Sequence, residues 1–256
     1  MAELHLKLRK FNVKAMYRDP MVFIIGKRRT GKSVLIADLL FHRNSCGVAV
    51  SGTECVEPIY GKFMQKQYIY DTYTPELIEN VIKRQFYIKR QFDKDITETG
   101  TSNIDQRTFI VLDNCFHDDK WSKDVGIRFL FMNGRCISTT CIFAMSYGMP
   151  IPPNLRGNID YVFIFRESHL ANRERIWRQY AMDIFSEFDT FCQVMDQCTL
   201  NFECLVIDKT SSSSKIEDRV FWYKAEIHPD ADVSDVSAVS TTTDAPDVSV
   251  GTTTTP

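Results

Sequence analysis

Gly26-Lys27-Arg28-Arg29-Thr30-Gly31-Lys32-Ser33 is the stretch that decides how this 256-residue chain is read. It has the spacing G-x-x-x-x-G-K-S of a phosphate-binding loop. Two glycines let the backbone curl without Cβ clashes, so that its N–H groups turn inward toward phosphate oxygens. At this spacing Lys32 reaches the β- and γ-phosphates of a nucleotide, and Ser33 holds Mg²⁺. The flanks agree. Met21-Val22-Phe23-Ile24-Ile25 is a short apolar run ending at the first glycine, and Val34 opens a helix-like run through Phe41. Strand, loop and helix in that order form the setting the motif requires. ATP and Mg²⁺ are therefore the expected ligands, contacted from Gly26 to Val34. Lys27, Arg28 and Arg29 have three open roles: phosphate contact, a neighbouring subunit, or solvent.

Further along, Phe109-Ile110-Val111-Leu112-Asp113 is a second apolar run, ending in a carboxylate. A buried strand delivering Asp113 beside Mg²⁺ is the other half of such a site. Asn114 follows, where a second acid often activates water. An amide can hold a water but cannot take its proton at neutral pH. Glu54 is a candidate base, because Gly47-Val48-Ala49-Val50-Ser51-Gly52 reads as a strand with Thr53-Glu54 at its ligand-binding end. Asp118 and Asp119 are alternatives. His117 beside them reads more simply as part of a polar loop than as a metal ligand.

Two more buried runs, Cys141 to Met145 and Tyr161 to Phe165, bring the total to five, separated by helices or loops. That pattern implies a parallel α/β sheet. Thr74-Pro75 starts a helix through about Phe92, and 93–107 reads as a polar loop. A further helix runs from Trp121 to Asn133, with Gly134 as the residue that stops it. Leu4 to Lys14 alternates as a peripheral strand. From Ser168 the character changes to two helices and two strands, Phe202 to Ile207 and Val220 to Ala225, a small α+β appendage. The expected division is an ATPase core over 1–167, a C-terminal part over 168–228, and a disordered acidic Ser/Thr-rich tail over 229–256.

Composition excludes little. The chain is 44% hydrophobic and 25% charged with net charge −2. The tail holds five Asp and no Lys or Arg, which leaves 31 basic and 28 acidic residues, net +3, for the rest. A weakly positive body is compatible with nucleic acid without arguing for it. Eight cysteines without C-x-x-C spacing suggest buried reduced thiols. No apolar run approaches the length of a membrane span.

The order of these segments, together with Asn133-Gly134-Arg135 and Pro152-Pro153-Asn154-Leu155-Arg156-Gly157-Asn158-Ile159-Asp160-Tyr161, resembles the genome-packaging ATPases of large nucleocytoplasmic DNA viruses. These form the poxvirus and giant-virus branch of the FtsK–HerA superfamily of P-loop NTPases. The resemblance covers roughly Phe11 to Phe165. It implies a RecA-like core with helices on both faces of the sheet and a homo-oligomer, a ring or a similar assembly. The partners would be double-stranded DNA and capsid or membrane-associated virion proteins, and the location the virion or a viral factory in the host cytoplasm. It also implies that Arg135 or Arg156 senses the γ-phosphate, across a subunit boundary if need be. Two positions depart from the family. Asn114 stands in place of an acid, and Ser146 in place of a glutamine sensor. Both weaken hydrolysis on this reading while leaving nucleotide binding intact. A hydrolysis-deficient subunit with an assembly role is therefore the alternative to a motor, and a cellular P-loop NTPase without a DNA role the third reading.

Overall fold

The computed structural model describes residues 8–43, 46–56, 58–116, 119–148 and 150–228. The expected tail, Leu4 and Leu6 of the first strand, His117, Asp118 and the Asp119 side chain lie outside them. In chain order the elements are β1 (Arg9–Lys10), β2 (Met21–Ile25), α1 (Lys32–Phe41), β3 (Cys46–Ser51), β4 (Ile69–Tyr70) and α2 (Pro75–Thr99). Then come β5 (Thr108–Asp113), α3 (Val125–Asn133), β6 (Thr139–Met145), α4 (Pro153–Arg156) and β7 (Tyr161–Ile164). The chain closes with α5 (Leu170–Ile176), α6 (Phe188–Cys198), β8 (Glu203–Asp208) and β9 (Val220–Lys224). Among the described residues the strands form one sheet in the order β1-β9-β8-β7-β2-β6-β5-β3-β4. From β7 through β4 every neighbouring pair is parallel.

Burial on both faces explains why β2, β5, β6 and β7 are apolar at nearly every position. Along β2 the side chains alternate. Phe23 and Ile25 face one core with Ile78 of α2, Ile127 and Leu130 of α3 and Phe191 of α6. Val22 and Ile24 face the other, with Leu35, Ile36 and Leu39 of α1. Each fully buried aliphatic side chain contributes roughly 1.5–3 kcal/mol relative to exposure. The expected two-layered cover of helices is thus present, and the five sequence-predicted strands are β2, β3, β5, β6 and β7.

Several boundaries differ, each for a local reason. Helix α2 starts as expected, with Thr74 Oγ1 accepting from Leu77 N. It then runs past Phe92 to Thr99, through residues expected to form a loop. No Gly or Pro interrupts 93–99, a Lys94–Glu98 pair supports the last turn, and the helix stops at Gly100 with φ 77°. The region before Asn133 is not one helix: a 3₁₀ turn over Asp119–Lys123 precedes α3, which Asp124 caps through Ile127 N. Gly134 is not a left-handed stop. Its φ is −53°, and the chain tightens into a 3₁₀ turn over Gly134–Ile137 that buries Ile137 before Ser138 turns left-handed. Among the described residues the first strand is Arg9–Lys10, and it ends before Lys14 because Asn12 caps a 3₁₀ turn over Val13–Ala15. The C-terminal strands are not a separate layer. Strand β8 pairs antiparallel with β7, β9 pairs antiparallel with β8, and β1 closes the edge parallel to β9, so the hairpin extends the central sheet. Four of the cysteines, Cys115, Cys141, Cys198 and Cys204, are buried in the core. Among the described residues no helix is long and apolar enough to cross a membrane.

Candidate functional site

The parallel strands deliver their C-terminal ends to one edge. There stand the loop after β2, Ser51 to Glu54 after β3, Asp113 and Asn114 after β5, and Ser146 after β6. The loop is built around its glycines. A Cβ on Gly26 would stand 2.7 Å from Phe165 Cβ and from Thr30 Oγ1, and Gly31 caps α1 at φ 104°. Arg29 also lies at positive φ, and Thr30 Oγ1 donates to the Lys27 carbonyl at 2.8 Å, closing the turn. Lys32 is buried. Its Nζ donates to the Gly26 carbonyl at 2.8 Å and the Lys27 carbonyl at 3.0 Å, which leaves one of three donors for a phosphate oxygen. Burial lowers the Lys32 pKa, against the Asp113 charge that supports it. Lys27 is taken: its ammonium is 2.8 Å from Glu167 Oε1 and 3.0 Å from Ser168 Oγ, tying the loop to the segment after β7. Arg28 and Arg29 are exposed at the tip, Val34 is exposed within the first turn of α1, and Ser33 is half-buried at the helix start.

Asp113 is buried at the end of β5, and burial raises its carboxyl above the ordinary range, opposed by Tyr60 and Lys32. Tyr60 OH donates to Oδ2 at 3.0 Å and Asn114 Nδ2 to Oδ1 at 3.0 Å. Asn114 Oδ1 in turn accepts from Ser146 Oγ at 2.7 Å. The two departures from the family pattern are therefore one hydrogen-bonded unit. Asn114 has φ 49°, a left-handed conformation that Asn adopts more readily than Glu. Tyr60 was missed by sequence reasoning, since it lies in a stretch without periodicity. Its phenol is pushed well above its usual pKa by burial and the Asp113 charge, so it stays a donor. Tyr60→Phe keeps the ring and removes this donor. A stability loss of about 1–3 kcal/mol is expected in denaturant unfolding, with a several-fold drop in nucleotide turnover.

Glu54 lies at the same edge, engaged with the backbone. Oε2 accepts from Ile59 N at 3.0 Å and Tyr60 N at 3.1 Å, and Oε1 from Gly61 N at 2.7 Å. Both oxygens organise the turn that presents Tyr60 to Asp113. This is a positioning task rather than the free carboxylate expected of a base. Glu54→Gln sets an amide NH₂ against backbone donors, so turnover should fall several-fold with an unchanged pH–rate profile. Loss of a base would instead remove the acid limb and cost about 10²–10⁴ in rate.

Arg135 and Arg156 sit elsewhere. Arg135 precedes β6 and Arg156 precedes β7, at the edge where the parallel strands begin. That edge is a strand length, roughly 15 Å, from the phosphate loop. Arg135 pairs with the buried Asp160, whose Oδ2 also accepts from Met21 N at 2.8 Å. Both arginines therefore stand at the opposite end of the strands from the phosphate loop of their own chain.

No protein-family model matches the sequence. The chain is 31% identical over 223 residues to uncharacterized protein L437 of Acanthamoeba polyphaga mimivirus, covering 86% of this chain and 77% of that protein. It is 33% identical over 219 residues to uncharacterized protein 088R of Invertebrate iridescent virus 3, covering 82% and 79% respectively. This chain belongs to the family of viral proteins that includes mimivirus L437 and iridescent-virus 088R. Among solved structures, the genome-packaging NTPase B204 of Sulfolobus turreted icosahedral virus 2, in complex with sulfate, aligns with a TM-score of 0.57 at 14% identity, covering 82% of this chain and 98% of B204. B204 in complex with ATP-γS gives 0.53 at 13% identity. The conjugation coupling protein TcpA of pCW3 gives 0.52 at 13% identity, covering 81% of this chain and 60% of TcpA. At these identities the shared feature is the fold, that of P-loop ATPases. The residues of this family member fit the groups such a fold takes. Gly26 admits the close approach of Phe165 and Thr30 that curls the loop, Lys32 keeps a donor, and Asp113 with Ser33 is an oxygen donor set suited to Mg²⁺.

Proposed function

We propose that this chain is an ATPase that couples hydrolysis to translocation of double-stranded DNA into a viral capsid. The observation that carries the reading is the convergence of the Gly26–Ser33 loop, buried Lys32 and buried Asp113 at one sheet edge. The likeness to B204, a genome-packaging NTPase, supports the choice of DNA as cargo. Gly26 to Val34 would cradle the ATP phosphates, and Ser33 with Asp113 would hold Mg²⁺, which supplies charge neutralisation at the transferring phosphoryl group. Lys32 would bind the phosphate oxygens. Tyr60 and Asn114 would keep Asp113 aimed at the cation, and Ser146 would hold Asn114 where its amide can orient water. The working assembly would be a homo-oligomeric ring joined to capsid or membrane-associated virion proteins, in the virion or in a viral factory of the host cytoplasm. A division into a core over 1–167 and a C-terminal part over 168–228 belongs to the same reading.

A second reading, a nucleotide-binding assembly subunit that does not hydrolyse, is favoured by the Asn114–Ser146 unit and the engaged Glu54. ATP turnover measured with and without double-stranded DNA across a salt series separates the two. A motor shows DNA-stimulated turnover that falls steeply with salt as phosphate contacts are screened. Tight ATP binding without turnover under either condition supports the assembly subunit.

A further inference from the structure

Toward the C-terminal end of α1, away from the phosphate loop, three metal-binding side chains meet. Asp38 and His42 are one turn apart on the same helix face. His228 arrives on the segment after β9. Asp38 is fully buried, with its Oδ1 2.7 Å from His228 Nε2 and 3.3 Å from His42 Nε2. All three candidate ligand atoms lie within 4.8 Å of one another. The other carboxylate oxygen is committed: Tyr223 OH donates to Oδ2 at 2.6 Å and Glu226 N at 3.1 Å. The rings are held as well. Phe41 stacks on His228 at 3.8 Å, and the two imidazoles stand at 85° to one another, so that both Nε2 atoms converge on one oxygen.

We propose that Asp38, His42 and His228 form a Zn²⁺ site that clips the segment after β9 onto the helix carrying the phosphate loop. Two imidazole nitrogens and one carboxylate oxygen are a donor set for zinc rather than for the Mg²⁺ of a nucleotide. Metal bonds near 2.0–2.2 Å in a tetrahedral site place ligand atoms about 3.3 Å apart, a spacing these three atoms reach with small side-chain adjustments. Tyr223 and Glu226 orient the carboxylate from behind, so Oδ1 alone faces the ion, as the outer partners of zinc ligands do. Three protein ligands leave a fourth position for water. The site does not depend on the ATPase reading and shares no residue with it.

The test uses the full chain, freed of metal by chelation and titrated with Zn²⁺ against a chromophoric chelator. Wild type should bind one equivalent that His42→Ala and His228→Ala both lose, with affinity lowered roughly 100-fold or more. Lys32→Ala should keep it, since the nucleotide site is separate. The eight cysteines are competing ligands, so Co²⁺ supplies a second readout. Its visible bands should indicate nitrogen and oxygen ligands, without the intense near-ultraviolet band of a cobalt thiolate. Thermal melts of the metal-free proteins check folding, and if His42→Ala melts early the half-buried His228→Ala carries the comparison. No saturable equivalent in wild type, an equivalent retained in His228→Ala, or a thiolate band would each overturn the proposal.

Discussion

Lys32→Ala is expected to lower ATP turnover by roughly 10²–10³-fold, the scale of removing one charge-stabilising donor from a transition state. The structure explains why no neighbour substitutes. Lys27, on the same loop, is already held by Glu167. Arg28 and Arg29 are exposed at the loop tip. Lys32 alone is buried under the loop, with two carbonyls fixing its Nζ. Stability should move little, because removing a desolvated ammonium offsets the loss of its two hydrogen bonds. Steady-state hydrolysis, nucleotide binding and thermal melting on the same preparation check all three parts. Turnover within about threefold of wild type, with folding intact, would remove the phosphate-loop chemistry from the reading.

How much was legible in the sequence follows from how each feature is encoded. Strands β2, β5 and β6 are buried on both faces, so each reads as an unbroken apolar run. The phosphate loop is legible because Gly26 and Gly31 answer local backbone demands, one a close approach and one a positive φ. Features made by contact between distant segments were not legible. Tyr60 and Asp113 are 53 residues apart and Asn114 and Ser146 are 32 apart, so each looked like an isolated choice. The end of α2 was missed because an exposed polar helix carries no apolar stripe. Strands β8 and β9 were recognisable as strands, but only the completed edge of β7 determines that they extend the sheet. The family resemblance named Arg135 and Arg156 without saying which edge carries them. Asp38 reads as one polar residue in an apolar helical run, although its 0% exposure makes it the most enclosed carboxylate among the described residues.

The placement of the two arginines leads to the second large effect. If either acts on a nucleotide, it acts on one bound by a neighbouring subunit, and the two are not equivalent candidates. Arg135 is committed to Asp160, a buried carboxylate that also receives Met21 N. Its removal leaves that carboxylate short of a partner, so Arg135→Ala should act mainly on stability. Arg156 makes no ion pair among the described residues. Charges of both signs surround it: Lys209 is held below its usual pKa first by burial, with Asp183 opposing and Arg219 and Arg156 adding to the lowering, and Asp183 is already paired with Arg219. A guanidinium without an ion-pair partner among the described residues gains from an incoming anion, and a neighbour's γ-phosphate is the anion a ring would bring. Arg156→Ala should therefore lower turnover by about 10³-fold or more, the contribution of an arginine finger, with an unchanged melting temperature and unchanged ATP affinity. Mixing is the decisive measurement. Arg156→Ala contributes an intact phosphate loop, and Lys32→Ala contributes an intact Arg156, so mixed assemblies regain activity at interfaces that pair the two. Mixtures as inactive as either variant alone, under conditions where the subunits co-assemble, would remove Arg156 from catalysis in trans.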